Sequence, residues 1–245
     1  MSTRRHLRGA VRWLGFAGGA AAAGYATYAG VTWCRYGHPE PATGDDQDPL
    51  LDRFMPSYDV VERHRIRIGA PADITFDAAT TMELFQSPLI RAIFKGRALI
   101  LGAARAERPS RGLLAEVQAL GWVVLAEIPG REIVVGAVTR PWEPNVIFRS
   151  LAPEAFLAFA ESDYVKIAWT LRADPVGAGD SVFRTETRAL ATDPAARGKF
   201  RRYWALLSPG IIAIRWLSSA PLRAAAERRA DQEVAAWRAR HKAGV

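Results

Sequence analysis

The sequence predicts an α+β fold in which a curved antiparallel sheet wraps around a long C-terminal helix, preceded by one N-terminal transmembrane helix. The first observation is that Ser181–Asp193 alternates with a period of two and contains Thr, Val and Phe, as a half-buried strand does. The second is that an amphipathic helix follows at once, beginning at Asp193-Pro194. The third is the uncharged segment Trp13–Trp33, which is long enough to cross a bilayer.

The N-terminal segment has the charge pattern of a membrane anchor. Residues 1–12 form a basic flank with four Arg and no acidic residue, and residues 13–33 then carry no charge. Aromatic residues mark both ends of this span, as they do at membrane interfaces. Because basic flanks stay in the cytoplasm, we expect a single-pass protein of the cell membrane with a cytoplasmic N-terminus and an extracytoplasmic domain.

A removable signal peptide is the alternative interpretation of the same segment. Thr3–Arg8 loosely resembles a twin-arginine signal, and Thr27–Ala29 offers a cleavage site. The apolar run continues past this site to Trp33, which favours a retained anchor. Small residues four apart, such as Gly15 and Gly19, are typical of helices that associate, so weak self-association is expected unless the spacing only reflects Ala and Gly content.

Residues 34–54 are expected to link the anchor to a domain over residues 55–220. His38–Leu51 is rich in Pro, Gly and Asp and is interpreted as a tether. Alternation over Val61–Ile68 predicts the first strand, with Ile66 and Ile68 turned inward.

The remaining elements that precede Ser181–Asp193 are predicted from turn residues and from the spacing of apolar residues, which has a period of two in strands and of about 3.6 in helices. Helices are predicted at Ala72–Met82, Pro88–Lys95, Arg111–Leu120 and Pro153–Ala160. Strands are predicted at Gly121–Ile128, Glu132–Thr139, Val146–Arg149 and Tyr164–Arg172. The first two of these strands are joined by Pro129–Arg131, a hairpin signal, and Gly177–Asp180 is the turn into Ser181–Asp193. Arg97–Leu101 fits either a strand or a loop.

The C-terminal helix presents one apolar stripe at helical spacing. Its members are Phe200, Tyr203, Trp204 and Leu207. Ser208–Gly210 either caps a second helix or bends the first, and Pro221 predicts a kink or a break. Residues 221–245 are expected to form a basic helical extension.

The composition excludes several kinds of site. The formal charge is +8, but from Pro194 onward eleven basic residues face three acidic ones, so the excess is confined to the C-terminal helix. No motif supports nucleic-acid binding, and none is expected. Cys34 is the single cysteine and the four His are scattered, so neither a metal site nor a cofactor is expected.

Four stretches carry a resemblance to a known family. They are Ile66–Phe76, Glu127–Glu132, Thr185–Arg188 and Tyr203-Trp204. Over residues 55–220 the chain resembles the START-like, or SRPBCC, superfamily of polyketide cyclase and Bet v 1-like helix-grip proteins, in a bacterial membrane-anchored branch. The resemblance implies a helix-grip fold with a hydrophobic cavity between sheet and helix. Members bind lipids, polyketides, hormones or quinones, and some catalyse cyclisation or dehydration.

Aromatic residues are the candidate ligand contacts in such a cavity. Trp142 is expected near its mouth, and the predicted lining residues are Trp169, Phe183, Phe200 and Trp204. The alternative is that these side chains are only core.

Glu186 is a weak candidate for a catalytic acid or base, because it shares a strand face with Arg184 and Arg188. The favoured interpretation of this trio is an ion-paired outer face of the sheet, cross-strand to Lys166 or Arg172.

These observations lead to one expected function and two alternatives. We expect a membrane-anchored domain that binds a hydrophobic small molecule or lipid without catalysis. The first alternative is an enzyme of the cyclase/dehydratase type that acts in the same cavity. The second is a structural membrane protein whose core is filled by its own side chains.

Overall fold

The computed structural model describes residues 2–83, 87–102 and 112–242, with side chains from Gly18 onward. The helices are α1 (Ser2–Arg35), α2 (Pro49–Asp52), α3 (Ala72–Thr81), α4 (Pro88–Leu101), α5 (Leu113–Ala119), α6 (Pro153–Ala158) and α7 (Pro194–Lys242). The strands are β1 (Val60–Ile68), β2 (Val123–Ile128), β3 (Glu132–Thr139), β4 (Phe148–Arg149), β5 (Val165–Pro175) and β6 (Ser181–Ala191). Arg111, where one helix was expected to begin, lies outside the described residues.

The strands form one antiparallel sheet in the order β1-β6-β5-β3-β2, with the short β4 beside β3. The first strand therefore pairs with the last one, and α7 contacts both of them. This is an α+β helix-grip arrangement, so the predicted fold class is confirmed for the domain. We call the sheet face toward α7 the inner face and the opposite one the outer face.

The junction between β6 and α7 follows the predicted capping chemistry. Asp193 Oδ1 accepts hydrogen bonds from the backbone N–H groups of Ala195 (2.7 Å) and Ala196 (3.0 Å), and Pro194 is the first helical residue. Two otherwise unsatisfied donors are thus paired, and the strand passes into the helix within two residues.

The helix α7 is continuous, so no second helix begins at Ser208–Gly210 and no break occurs at Pro221, whereas a bend or kink at either proline stays a prediction. Pro209 and Pro221 both lie inside it. Each proline costs the helix one backbone hydrogen bond, yet buried residues hold the helix on the sheet on either side. Those residues are Phe200, Trp204, Leu222 and Ala226.

The outer face is covered by the segment that sequence analysis interpreted as a tether and by the residues just after it. Leu51, Phe54 and Met55 are buried against Val134 and Val138 of β3. Within the segment, Asp48 caps α2 by accepting a 2.8 Å hydrogen bond from the Leu51 N–H. The turn-forming residues therefore direct a short apolar segment onto the sheet.

The helix α4 extends over the residues that were expected to form a strand or a loop. It includes Arg97–Leu101 and ends at Gly102, which has the left-handed conformation (φ 70°) common at helix ends. Leu99 and Ile100 are exposed, so this turn shows no buried apolar stripe by which sequence periodicity could have identified it.

One helix in the described part of the chain is long and apolar enough to cross a membrane by length and composition, and it is α7. This is weak support for a span, because α7 also packs on the sheet. The predicted anchor Trp13–Trp33 lies partly outside the described side chains and stays a prediction.

We call residues 48–55, which cover the outer face, the covering segment. A carboxyl pair joins this segment to the sheet. Glu132 of β3 and Asp48 are both buried, and Glu132 Oε1 finds no hydrogen-bond partner among the described residues. Burial first, and then the neighbouring Asp48 carboxylate, raise the pKa of Glu132 to about 8. Between about pH 4.5 and pH 8, Glu132 therefore keeps its proton in the folded state and has lost it in the unfolded chain.

We predict that Glu132→Gln removes a pH dependence of stability. The pKa of Glu132 is higher in the folded state than in the unfolded chain. The stability contributed by its preferential protonation in the folded state is therefore fully present below pH 4.5 and is lost as the pH rises through 8. In detergent, the free energy of unfolding of the unchanged protein should fall by about 4 kcal/mol between pH 5 and pH 9, and that of the variant should fall less. Urea titrations measure this difference. The exposed Glu127→Gln is the control, and an equal slope in all three proteins contradicts the assignment.

Candidate functional site

The inner face of the sheet is sealed at both ends and partly open in the middle. At one end Val60, Val165 and Ala189 are buried, and at the other Phe183 and Leu171 are buried. The central residues between them are only partly buried: Glu62, His64, Ile167, Trp169, Thr185 and Thr187. We call this region, together with Arg215 and Ser219 of α7, the central groove.

Strand register explains why these residues meet. Glu62 pairs with Thr187, and Thr187 pairs in turn with Trp169 on the next strand. His64 pairs with Thr185 one step further along. Since alternate residues of a strand share a face, polar groups of β1 and β6 and the indole of β5 form one patch beneath α7.

Arg215 bridges α7 to the floor of the groove. Its Nη1 donates to the backbone carbonyls of Glu62 (3.2 Å) and Thr185 (3.4 Å), and its Nη2 donates to the hydroxyl of Thr187. Glu62 and Thr187 are directly paired across the two strands, so the guanidinium lies over the β1–β6 seam. A cation is thus held between the helix and the polar patch of the inner face.

His64 is oriented by the next turn of α7. Its Nε2 lies 2.7 Å from Ser219 Oγ, and that hydroxyl donates to the carbonyl of Arg215 at 2.9 Å. A hydroxyl has one proton, so His64 Nε2–H is the donor to Ser219 and Nδ1 is the basic nitrogen. The Trp216 ring packs edge-on against the imidazole, with ring centroids 5.0 Å apart.

The electrostatics of the groove shift the pKa values of Glu62 and His64 in opposite directions. Burial raises the pKa of Glu62, and the charge of Arg215 opposes this change. Burial lowers the pKa of His64, and Arg215 lowers it further. A neutral imidazole and a carboxyl group that holds its proton more tightly than usual therefore lie beside a fixed cation, a combination suited to general acid–base chemistry or to binding an anion.

The predicted ligand contacts fall into two groups. Trp169 and Phe183 belong to the core cluster that includes Leu222, whereas Trp142, Phe200 and Trp204 belong to the cluster around Val60 and Val165. Phe183, Phe200 and Trp204 are buried, and Trp142 and Trp169 are partly exposed. Among these five, Trp169 is the member that lies in the central groove, and their role as ligand contacts stays a prediction.

Glu186 lies on the outer face, opposite the groove. Its carboxylate binds Arg63 Nε at 3.0 Å and Arg188 Nε at 2.7 Å. Arg188 is buried and also contacts Asp52 of the covering segment. The ion-paired interpretation of the trio therefore fits the geometry, although Arg63 and Asp52 take the places expected for Lys166 and Arg172. As a catalytic candidate, Glu186 is remote from the central groove.

Two cavities are found among the described residues, one on the outer face and one at the start of α7. One, of about 170 Å³, is lined mostly by charged residues of the outer face, and its volume is below that of typical ligand sites. The other, of about 410 Å³, lies at the start of α7. There Arg197 pairs with buried Asp59 and Arg201 donates to the carbonyl of Trp33, so both cations already have partners.

No group of three or more His, Cys, Asp and Glu side chains in the described part of the chain could hold a metal ion.

Glu62 and Arg215 were not predicted as site residues from the sequence. The signal for Glu62 was present, because the alternation that turns Ile66 inward also turns Glu62 and His64 inward. The signal for Arg215 was its position as a lone charge in the apolar part of α7.

No family model and no curated protein matches the chain. Among solved structures, a norcoclaurine synthase mutant from Thalictrum flavum is 12% identical over 69% of this chain and 95% of its own, with a TM-score of 0.31. The Zhui aromatase/cyclase from Streptomyces sp. R1128 is 14% identical over 71% and 94%, with a TM-score of 0.25. TTHA0849 from Thermus thermophilus is 12% identical over 71% and 98%, with a TM-score of 0.23.

We predict that Arg215→Met raises the pKa of His64, because the cation that disfavours imidazolium is removed. The variant also leaves two carbonyls and a hydroxyl without their donor, so it should lose about 1–3 kcal/mol of stability. The His64 titration by NMR measures the first effect. Arg223→Met is the control, since Arg223 donates to the Arg67 carbonyl at an exposed position. An unchanged His64 titration in Arg215→Met would show that the two groups are not coupled.

Proposed function

We propose that this chain is a membrane-anchored helix-grip protein that binds a hydrophobic small molecule or lipid in the central groove. The observation that carries the proposal is the partly open centre of the inner face between two sealed ends. Trp169 and Ile167 supply apolar surface, and Arg215 supplies one fixed cation. Sites of this kind bind apolar bodies and orient them through a few polar groups.

The ligand class follows from the same contacts. An amphiphile with an acyl chain or ring system would cover Trp169 and Ile167, while a carboxylate or hydroxyl at its polar end would reach Arg215. The partly open centre also speaks against a purely structural protein with a filled core, since a filled inner face would bury its central residues as it buries its ends.

A second candidate function, an enzyme of the cyclase/dehydratase type, is favoured by Glu62 and His64. Both groups have perturbed pKa values and share the groove with Arg215. In such a reaction Glu62 or His64 would remove a proton from carbon or protonate a leaving hydroxyl, and Arg215 would stabilise developing negative charge.

Copurification tests the binding proposal. The full chain purified in mild detergent should retain a lipid or hydrophobic small molecule that mass spectrometry identifies after extraction. Trp169→Ala should retain about tenfold less, because the variant removes the largest apolar surface of the groove. Trp237→Ala is the matched control, since Trp237 is exposed near the end of α7. Equal retention in all three proteins would show that the ligand binds outside the central groove. If none of the three proteins retains a ligand, the proposal is wrong.

The same measurement separates a binder from an enzyme. We expect a binder to carry the same ligand mass in the unchanged protein and in Glu62→Gln. A dehydratase or dehydrating cyclase would instead accumulate on Glu62→Gln a species one water heavier than the ligand of the unchanged protein. The isosteric change removes the acid while keeping the shape of the groove.

The placement of the protein belongs to the same proposal. The charge pattern supports a retained, single-pass anchor at residues 13–33 with the domain outside the cytoplasm. Protease added to intact spheroplasts should digest the domain and leave a cytosolic control whole. Digestion only after lysis would show the inverse topology. A mature N-terminus near Gly30, found by Edman sequencing, would show a cleaved signal peptide.

A further inference from the structure

Large apolar side chains are exposed on three neighbouring helices. On α4, Leu99 is 80% and Ile100 is 69% exposed, and Leu89 is exposed as well. On the flanking helices, Val31 of α1 and Leu206 of α7 are exposed. Most other surfaces of a folded chain show such residues singly, whereas here they recur along one layer of helices.

The three helices lie side by side, with α7 in the middle. On one flank, the hydroxyl of Tyr28 of α1 lies 3.0 Å from that of Ser208. On the other flank, Arg97 Nε of α4 lies 3.3 Å from the hydroxyl of Tyr203, and a Cβ added at Gly210 would meet Ile93 at 3.0 Å. Leu206 of α7 is exposed, so the layer is uncovered at this position.

The charge of α4 matches an anionic bilayer. Its fourteen residues include Arg91, Lys95 and Arg97 and no Asp or Glu. On a helical projection, Leu89, Leu99 and Ile100 share one side, with Lys95 at one edge of it and Arg97 beyond the other. A helix with an apolar side edged by basic residues lies in the interface of anionic membranes, with its apolar side in the headgroup–acyl boundary.

We propose that α4 is a second membrane contact of this protein, separate from the segment Trp13–Trp33. Leu99 and Ile100 enter the interface of an anionic bilayer, and Lys95 lies against lipid phosphates. Because α4 meets α7 at Gly210, five residues before Arg215, this contact holds the central groove within about 10 Å of the helix that touches the membrane. A hydrophobic ligand would then have a short path between bilayer and groove.

Depth-dependent quenching tests the contact on the full chain. In a Cys34→Ser background, Leu99→Cys carries an environment-sensitive fluorophore, and the protein is reconstituted into vesicles that contain phosphatidylglycerol and bromine-labelled acyl chains. Leu99 is exposed, so the label does not disturb packing. We expect bromolipid to remove about half of the fluorescence, as for a group at the headgroup–acyl boundary.

The control label is Val176→Cys, at an exposed apolar position in the turn between β5 and β6. It should be quenched little, although it is attached to the same anchored protein. Replacing phosphatidylglycerol by phosphatidylcholine, or introducing Lys95→Glu, should reduce the quenching at residue 99 severalfold. Equal quenching at residues 99 and 176 overturns the proposal, as does full quenching without anionic lipid. The readout requires no bound ligand, so it is independent of the outcome for the central groove.

Discussion

The pairing of the first strand with the last is the constraint on which the rest of this structure depends. β1 and β6 are antiparallel over their whole length, from Val60 opposite Ala189 to Ile68 opposite Ser181. This register decides which side chains face α7. Because β6 passes directly into α7 at Asp193, the pairing also directs the helix across the inner face. The position of the central groove is a consequence of these two facts.

The two faces of the sheet are closed by different physical means. On the outer face, a short segment with Leu51 and Met55 covers buried charges, and Arg188 is paired with Glu186 and Asp52. The ion pairs of Arg188 offset part of the high cost of desolvating its charge. The inner face has closed ends and a partly open centre with one guanidinium. Chemistry and binding are therefore expected on the inner face alone.

In the membrane placement proposed above, the helix layer connects this groove to the membrane. One side of α7 packs on the sheet, and its two flanks contact α1 and α4. The exposed apolar side chains of this helix layer are unfavourable in water and favourable at a membrane interface. In the proposed placement the anchor, the layer and the groove are continuous, so that an apolar ligand avoids bulk water. The groove polar groups, Glu62, His64 and Arg215, lie beneath the layer and not on its outer surface.

Local chemistry determined what the sequence by itself could specify. The strand β6, its handover at Asp193, the β2–β3 hairpin and the inward side of β1 depend on period, capping and turn residues that lie within a few positions of one another. Tertiary structure decided the rest. Arg215 reaches Thr187 only because α7 is carried back over the sheet, and the expected tether becomes core only because Leu51 finds β3. Contacts between segments far apart in the chain leave no periodic signal, since their energy depends on distances that the fold alone sets.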